Sequence, residues 1–215
     1  MKLVIGDKNY SSWSMRAWLL LKHFDIPFTE IPIELHEADS TAEILTYSPS
    51  GKVPCLIGEG GLRVWDSLAI AETLAEHFPQ HALWPRDALR RSQARSISAE
   101  MHSGFTDLRA NMWMDIRGSF PGQGVTPGVL ADIARIETLW STCLEAHGGP
   151  FLYGEFCIAD AMYAPVVMRF NTWQPALSPV AASYAARVTA LPAVATWIRE
   201  AQNEQHRLSS DAIGV

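Results

Sequence analysis

Three short segments of the chain place hydroxyl, carboxylate and backbone groups where an anion can be held. In NYSSWSMR, residues 9–16, Ser11, Ser12 and Ser14 lead into an apolar stripe of Met15, Trp18, Leu19 and Phe24. Serine there caps a helix. The free N–H groups and dipole of that same helix end also attract negative charge. Asp66 and Ser67 open a second periodic run, SLAIAETLAEHF, with the same two readings, cap and anion site. Between them, SPSGKVPCL carries Lys52, Val53 and Pro54. A cis X-Pro peptide at that point turns backbone N–H and C=O outward, and a strand-start proline is the plainer alternative. Cys55, Cys143 and Cys157 are isolated, with no CxxC and no metal-ligand spacing, and the seven histidines form no HExxH. No metal site is expected, and thiol–disulfide exchange has no cysteine at the N-terminal site to use.

These segments need elements to position them. KLVIG, residues 2–6, reads as a buried strand and residues 12–24 as a helix. FTEIPIE, residues 28–34, reads as a second strand, at an edge or irregular because of Pro32. Residues 39–47 suit a short helix, VPCLIG and LRVWD two strands joined by GEGG, and residues 67–78 an amphipathic helix. The first two strands flank a helix and should be parallel, and the last two should form an antiparallel hairpin. After PQHALWPRD, residues 79–87, helical patterns fill 88–117, 129–147, 159–174, 179–190 and 192–205. FLYG is the one strand-like exception. The expected fold class is α/β plus all-α: a mixed four-stranded βαβ-α-ββα unit followed by a helical bundle.

Composition narrows the function. Hydrophobic residues make up 48% of the 215, enough for a sizeable core, and the net charge of -6 gives no nucleic-acid footprint. Arg86, Arg90, Arg91 and Arg95 fall at helical spacing and read as a solvated face. No run reaches the roughly 18 apolar residues of a membrane span. The opening MKLVIGDKNYSSW lacks a secretory apolar run, and the cysteine usage fits a reducing cytoplasm.

Taken together, the three segments resemble those of glutathione transferases. NYSSWSMR is similar to the SSC-x-x-R start of zeta-class enzymes, with Trp13 where that class has cysteine. SPSGKVPCL resembles the family's NPxGxVPxL element, and DSLAI its acidic-Ser-x-AI element. The resemblance covers essentially the whole chain and points to a bacterial, serine-type member of the cytosolic superfamily. It implies a thioredoxin-like glutathione-binding domain over 1–78, a linker over 79–87 and an all-helical domain over 88–215. It further implies glutathione as co-substrate, a small hydrophobic electrophile, a homodimer and a role in detoxification.

The resemblance also implies roles for particular residues. Ser11 would donate to the glutathione sulfur. Tyr10, six residues before Arg16 as in tyrosine-type classes, is the competing donor. Val53, before Pro54, would pair with the cysteinyl backbone as an added strand does. Lys52 would approach the glycine carboxylate, and His36 stands where some members have a cationic contact. Ser67 would hold the γ-glutamyl carboxylate and Asp66 the amine. The energetics are adequate. Lowering a thiol pKa of about 8.5 by about two units needs roughly 2.7 kcal/mol. A hydroxyl bonded to an anion supplies roughly 1.5–3 kcal/mol, and a helix N-terminus roughly 0.3–2 kcal/mol.

For the electrophile, Met101, His102, Phe105, Arg109, Met112 and Trp113 fall on related faces of the 88–117 pattern and suggest a forgiving apolar pocket. Half of them are expected to be core or interface instead. In GEFCIADAMY, Cys157 replaces the hydroxyl residue of the family's capping element while Asp160 remains. That weakens a reciprocal capping box. Two other readings stay open: a glutathione-dependent isomerase acting on maleylacetoacetate or a dehalogenase, and a non-catalytic binding protein on the same fold.

Overall fold

Every residue of KLVIG after Lys2 is buried, so β1 (Lys2–Gly6) is an inner strand covered on both faces. In the computed structural model, which describes residues 1–208, β2 (Thr29–Ile33) lies parallel to β1 on one side. On the other side β3 (Cys55–Ile57) runs antiparallel to β1 and forms a hairpin with β4 (Arg63–Trp65). The order is β2-β1-β3-β4, which leaves Pro32 on an edge strand, where a missing N–H is tolerated. Helices α1 (Ser12–His23), α2 (Ser40–Tyr47) and α3 (Ser67–His77) complete the βαβ-α-ββα unit that the sequence implies.

Six further helices follow among the described residues: α4 (Ala88–Ser103), α5 (Thr106–Asn111), α6 (Pro127–His147), α7 (Ile158–Trp173), α8 (Pro179–Thr189) and α9 (Pro192–Asn203). The continuous helix expected over 88–117 is in fact two. Gly104 N–H closes α4 on Glu100 O at 2.9 Å, and a Cβ on Gly104 would lie 2.8 Å from that same oxygen. Phe105 then turns left-handed (φ 57°), and Arg109 reaches back to bond the carbonyls of Met101 and Gly104. FLYG yields only isolated bridges, Phe151 to Gly154 and Tyr153 to Glu155. None of the described helices is long and apolar enough to cross a membrane.

Helix α7 is buried nearly all round and is the axis of the bundle. Its first turn is held by Asp160, which accepts the N–H groups of Leu152 and Cys157 (both 3.0 Å) and the Tyr184 hydroxyl (2.9 Å). Both halves of the capping box are present, with the Cys157 side chain meeting the Asp160 N–H and the Asp160 carboxylate the Cys157 N–H, so the expected weakening does not abolish it. One apolar core runs without interruption from Leu3 of the sheet to Trp197 of α9. At the seam, the Lys8 ammonium sits 5.0 Å from the Trp18 ring and 5.5 Å from that of Trp197, and it pairs with Glu30 and Glu200.

Residues 204–208 then cross back over the loop that follows β1. The Glu204 carboxylate accepts the N–H groups of Lys8 (2.6 Å) and Asn9 (3.0 Å). Arg117 donates to the carbonyls of Glu204 (2.6 Å) and His206 (2.8 Å). The His206 ring lies between Asp7 (2.7 Å) and Glu37 (3.0 Å). Burial works against its charge, but the hydrogen bonds to Asp7 and Glu37 outweigh that and raise its pKa. A raised folded-state pKa means that the clasp's contribution is complete below the unfolded value of about 6.5 and is lost as pH rises through the folded one. The melting temperature of wild type relative to His206→Gln should therefore be highest under mildly acidic conditions and converge as pH rises. A difference that grows with pH would refute this.

Candidate functional site

A cleft of about 650 Å³ opens where the N-terminus of α1 faces α5 and α7. Ser11, Ser12 and Trp13 line it from α1, His36, Lys52 and Val53 from the sheet side, and Arg109, Trp113 and Arg169 from the helical side. Ser11, His36, Lys52, Val53 and Arg109, each singled out from the sequence, are thus brought together. The Val53-Pro54 peptide is cis.

The two serines do different things. Ser11 is the N-cap of α1: its oxygen accepts Ser14 N–H at 3.3 Å and its hydroxyl is turned to Ser14 Oγ at 2.7 Å. Ser14 Oγ also accepts Gly6 N–H at 3.0 Å, which ties the helix start to the end of β1. Ser12 Oγ accepts instead from Arg169 Nη2 at 3.3 Å. The Tyr10 hydroxyl is occupied elsewhere, accepting from Arg117 (3.3 Å) and from Leu208 N–H (3.4 Å).

At the head of α3, Asp66 caps the helix by accepting Leu68 N–H (2.9 Å) and Ala69 N–H (3.2 Å). Its backbone is held at φ 75°, ψ 130°, a conformation that costs a non-glycine residue about 1–3 kcal/mol. The surroundings enforce it: the other carboxylate oxygen meets His102 Nε2 at 2.6 Å, and the His102 ring stands edge-on to Trp13 at 5.4 Å. His102 therefore serves Asp66 rather than an electrophile. The neighbouring Ser67 is 1% exposed, and its hydroxyl has no hydrogen-bond partner among the described residues. A buried hydroxyl without a partner costs stability, and here it stands at a helix N-terminus, where a carboxylate would satisfy it.

Of the six helical-wall candidates half are core, as expected, while Arg109 and Trp113 line the cleft. Met101 and Met112 are wholly buried and Phe105 is 7% exposed, so all three are core and none lines the cleft. Met101 lies on the buried face of α4 before the break at Gly104, and Phe105 and Met112, at the two ends of α5, join the same core. In their place the wall presents guanidinium. Arg16 and Arg169 are buried, and neither they nor Arg109 form an ion pair among the described residues. Among the described residues, both terminal nitrogens of Arg16 and the Nε of Arg169 lack partners. Burial first, and then the charges of Arg109 and Arg169, hold the Arg16 pKa well below its usual value. Burial, with Arg109, pushes Arg169 down to about 9, so it still carries its charge at neutral pH. Buried charges are ordinarily paired, and this cluster supplies the positive half of a pair. Arg109 is partly spent on the end of α4, but its Nη1 bonds nothing among the described residues. Trp13 packs against two of the three, with Arg16 at 4.3 Å and Arg109 at 4.7 Å from its ring centre.

Arg169 went unnoticed in the sequence. The available signal was a single arginine in the otherwise apolar stretch APVVMRF, residues 164–170, of a helix too hydrophobic to lie on the surface.

Residues 10–77 match the family description "Glutathione S-transferase, N-terminal domain". A probable maleylacetoacetate isomerase of Caenorhabditis elegans is 30% identical over 173 residues, covering 78% of each chain. Glutathione S-transferase 1 of Dianthus caryophyllus is 36% identical over 178 residues, covering 78% of this chain and 76% of that one. Among solved structures, a glutathione transferase homolog from Burkholderia with bound glutathione superposes with a TM-score of 0.73 at 23% identity, over 94% of this chain and 98% of that one. A maleyl pyruvate isomerase, described as a bacterial zeta-class transferase, gives 0.73 at 21% identity, over 96% and 100%. At such identities the likeness of the structures is one of fold.

Proposed function

The chain belongs to the glutathione S-transferase family, and from that membership we propose that it activates glutathione for attack on an electrophile. Glutathione is the co-substrate, held by residues 1–78 and joined through 79–87 to residues 88–215, which supply the electrophile's wall. Ser67 takes the γ-glutamyl carboxylate and Asp66 the amine. Val53 pairs with the cysteinyl backbone, while Lys52 and His36 lie along the glycine end. The observation that carries the reading is the buried Ser67 hydroxyl at the head of α3, which has no partner among the described residues. Calorimetry of the protein with glutathione tests it directly. Micromolar to millimolar affinity is expected, and no detectable heat at millimolar ligand would end the proposal.

A second reading is favoured by the guanidinium wall. An electrophile seated against Arg109 and Arg169 gains most if it carries a carboxylate, which Arg109 Nη1 can meet as a charge-assisted pair. That suits glutathione-dependent isomerisation of an unsaturated acid of the maleylacetoacetate kind better than conjugation of a neutral apolar compound. Turnover of maleylacetoacetate against conjugation of an uncharged aryl halide separates the two. Absence of both would leave a non-catalytic glutathione binder. We assign the protein to the cytoplasm, with a detoxifying or catabolic role, as a homodimer; a monomer in sedimentation at micromolar concentration would contradict the last.

A further inference from the structure

We infer that Ser12, held by the buried guanidinium of Arg169, is the hydroxyl that donates to the glutathione sulfur, and that Ser11 is the cap of the helix on which it stands. The inference rests on the glutathione binding proposed above and goes beyond it by assigning the donor.

Both serines reach the cleft, so hydrogen-bond inventory decides between them. A serine hydroxyl has one proton to give and lone pairs to accept with. At Ser11 the proton goes to Ser14 Oγ at 2.7 Å and a lone pair takes Ser14 N–H at 3.3 Å. Turning Ser11 toward a ligand would give up both of its bonds to Ser14 and with them the cap of α1. At Ser12 a lone pair takes Arg169 Nη2 at 3.3 Å, and the proton has no acceptor among the described residues. A hydroxyl that accepts from a cation is a stronger donor in turn, because the two bonds polarise each other. The donor left free is therefore also the one made stronger.

Arg169 is well placed to do this. It is 4% exposed, and its Nη1 is anchored to Pro165 O at 3.3 Å, one turn earlier in α7. No carboxylate among the described residues pairs with it, and its Nη2 meets Ser12 Oγ directly. Arg169 acts through Ser12 and is a positioning residue. No proton leaves Ser12. When glutathione binds, its S–H proton passes to bulk water, and the thiolate accepts the Ser12 O–H while keeping a lone pair for attack.

The test is the ultraviolet thiolate absorbance of the glutathione complex against pH, with affinity measured in parallel by calorimetry. Ser12→Ala should raise the bound thiol pKa by about one to two units, with a roughly 10- to 100-fold slower reaction at neutral pH that recovers as pH rises. Ser11→Ala should lower the melting temperature through the lost cap and move the thiol curve by less than half as much. Arg169→Met should shift the curve in the same direction as Ser12→Ala, and Arg169→Lys by less than Arg169→Met. If Arg169→Met does not fold, Ser12→Ala and Arg169→Lys carry the test. Glutathione binding with an unmoved curve in Ser12→Ala would overturn this inference alone, as would a shift in Ser11→Ala equal to or greater than that in Ser12→Ala. Failure of the wild type to bind glutathione would overturn both it and the reading it rests on.

Discussion

Replacing Ser67 by alanine is expected to weaken glutathione binding by roughly tenfold to a hundredfold while leaving the free protein as stable as before, or more so. The two effects have one cause. In the free protein the Ser67 hydroxyl is buried without a partner among the described residues, and such a group costs about 1–3 kcal/mol. Alanine removes the hydroxyl and its desolvation penalty together. In the complex the same hydroxyl donates to a carboxylate at a helix N-terminus, a charge-assisted bond of about 1.5–3 kcal/mol. Its loss converts to the stated factor at 1.4 kcal/mol per decade. Calorimetric affinity and a thermal melt on the same preparation suffice. A melting temperature that falls together with unchanged affinity would show Ser67 to be a structural residue only.

Asp160→Ala should do the opposite, lowering stability by about 3–5 kcal/mol and impairing the site only through the fold. Asp160 is wholly buried and accepts two backbone N–H groups and the Tyr184 hydroxyl. Alanine would strand all three donors in the core, at the start of the helix that carries Arg169. Urea unfolding measures the loss, and a decrease below about 1 kcal/mol would mean that water or a repacked Tyr184 takes over. Burial also raises the Asp160 carboxyl pKa to about 6, from an ordinary value of 3.8. The native state then binds more protons than the unfolded chain between those values, so this group's contribution to stability falls as pH rises through that window.

The fold was largely legible because its signals are local. The short buried strand at KLVIG, the Pro32 edge strand and the serine and aspartate caps of α1 and α3 each follow from a few adjacent residues. So did part of the sheet-side wall of the cleft, since Lys52 and Val53 stand in a short motif, whereas Asp66 and Ser67, at the head of α3, do not line it. The helical wall was legible only in part: Arg109 and Trp113 line it, but Arg169 was not seen and Met101, Phe105 and Met112 are core. Its apolar period runs through Gly104 without a break, although the chain ends α4 there and turns left-handed at Phe105. Arg169 meets Ser12 across a sequence separation of 157, a distance that no periodicity encodes. Spacing also could not separate Ser11 from Ser12, because neighbours on one helix end share its dipole and differ only in what bonds them.

The clasp formed by residues 204–208 bears on how the protein can be made. The loop that enters the site after β1 is tied at Lys8 by Glu204, 196 residues further along the chain. A ribosome must therefore synthesise both layers of the molecule before that loop can be fastened. Until then the start of α1 is held on its near side only, and the acidic groups of Asp7 and Glu37 face each other without the imidazole that separates them. Contacts this distant in sequence are slow to close. The nascent protein should therefore acquire its sheet early and its capacity to bind glutathione last, so ligand binding reports completion of folding rather than its onset.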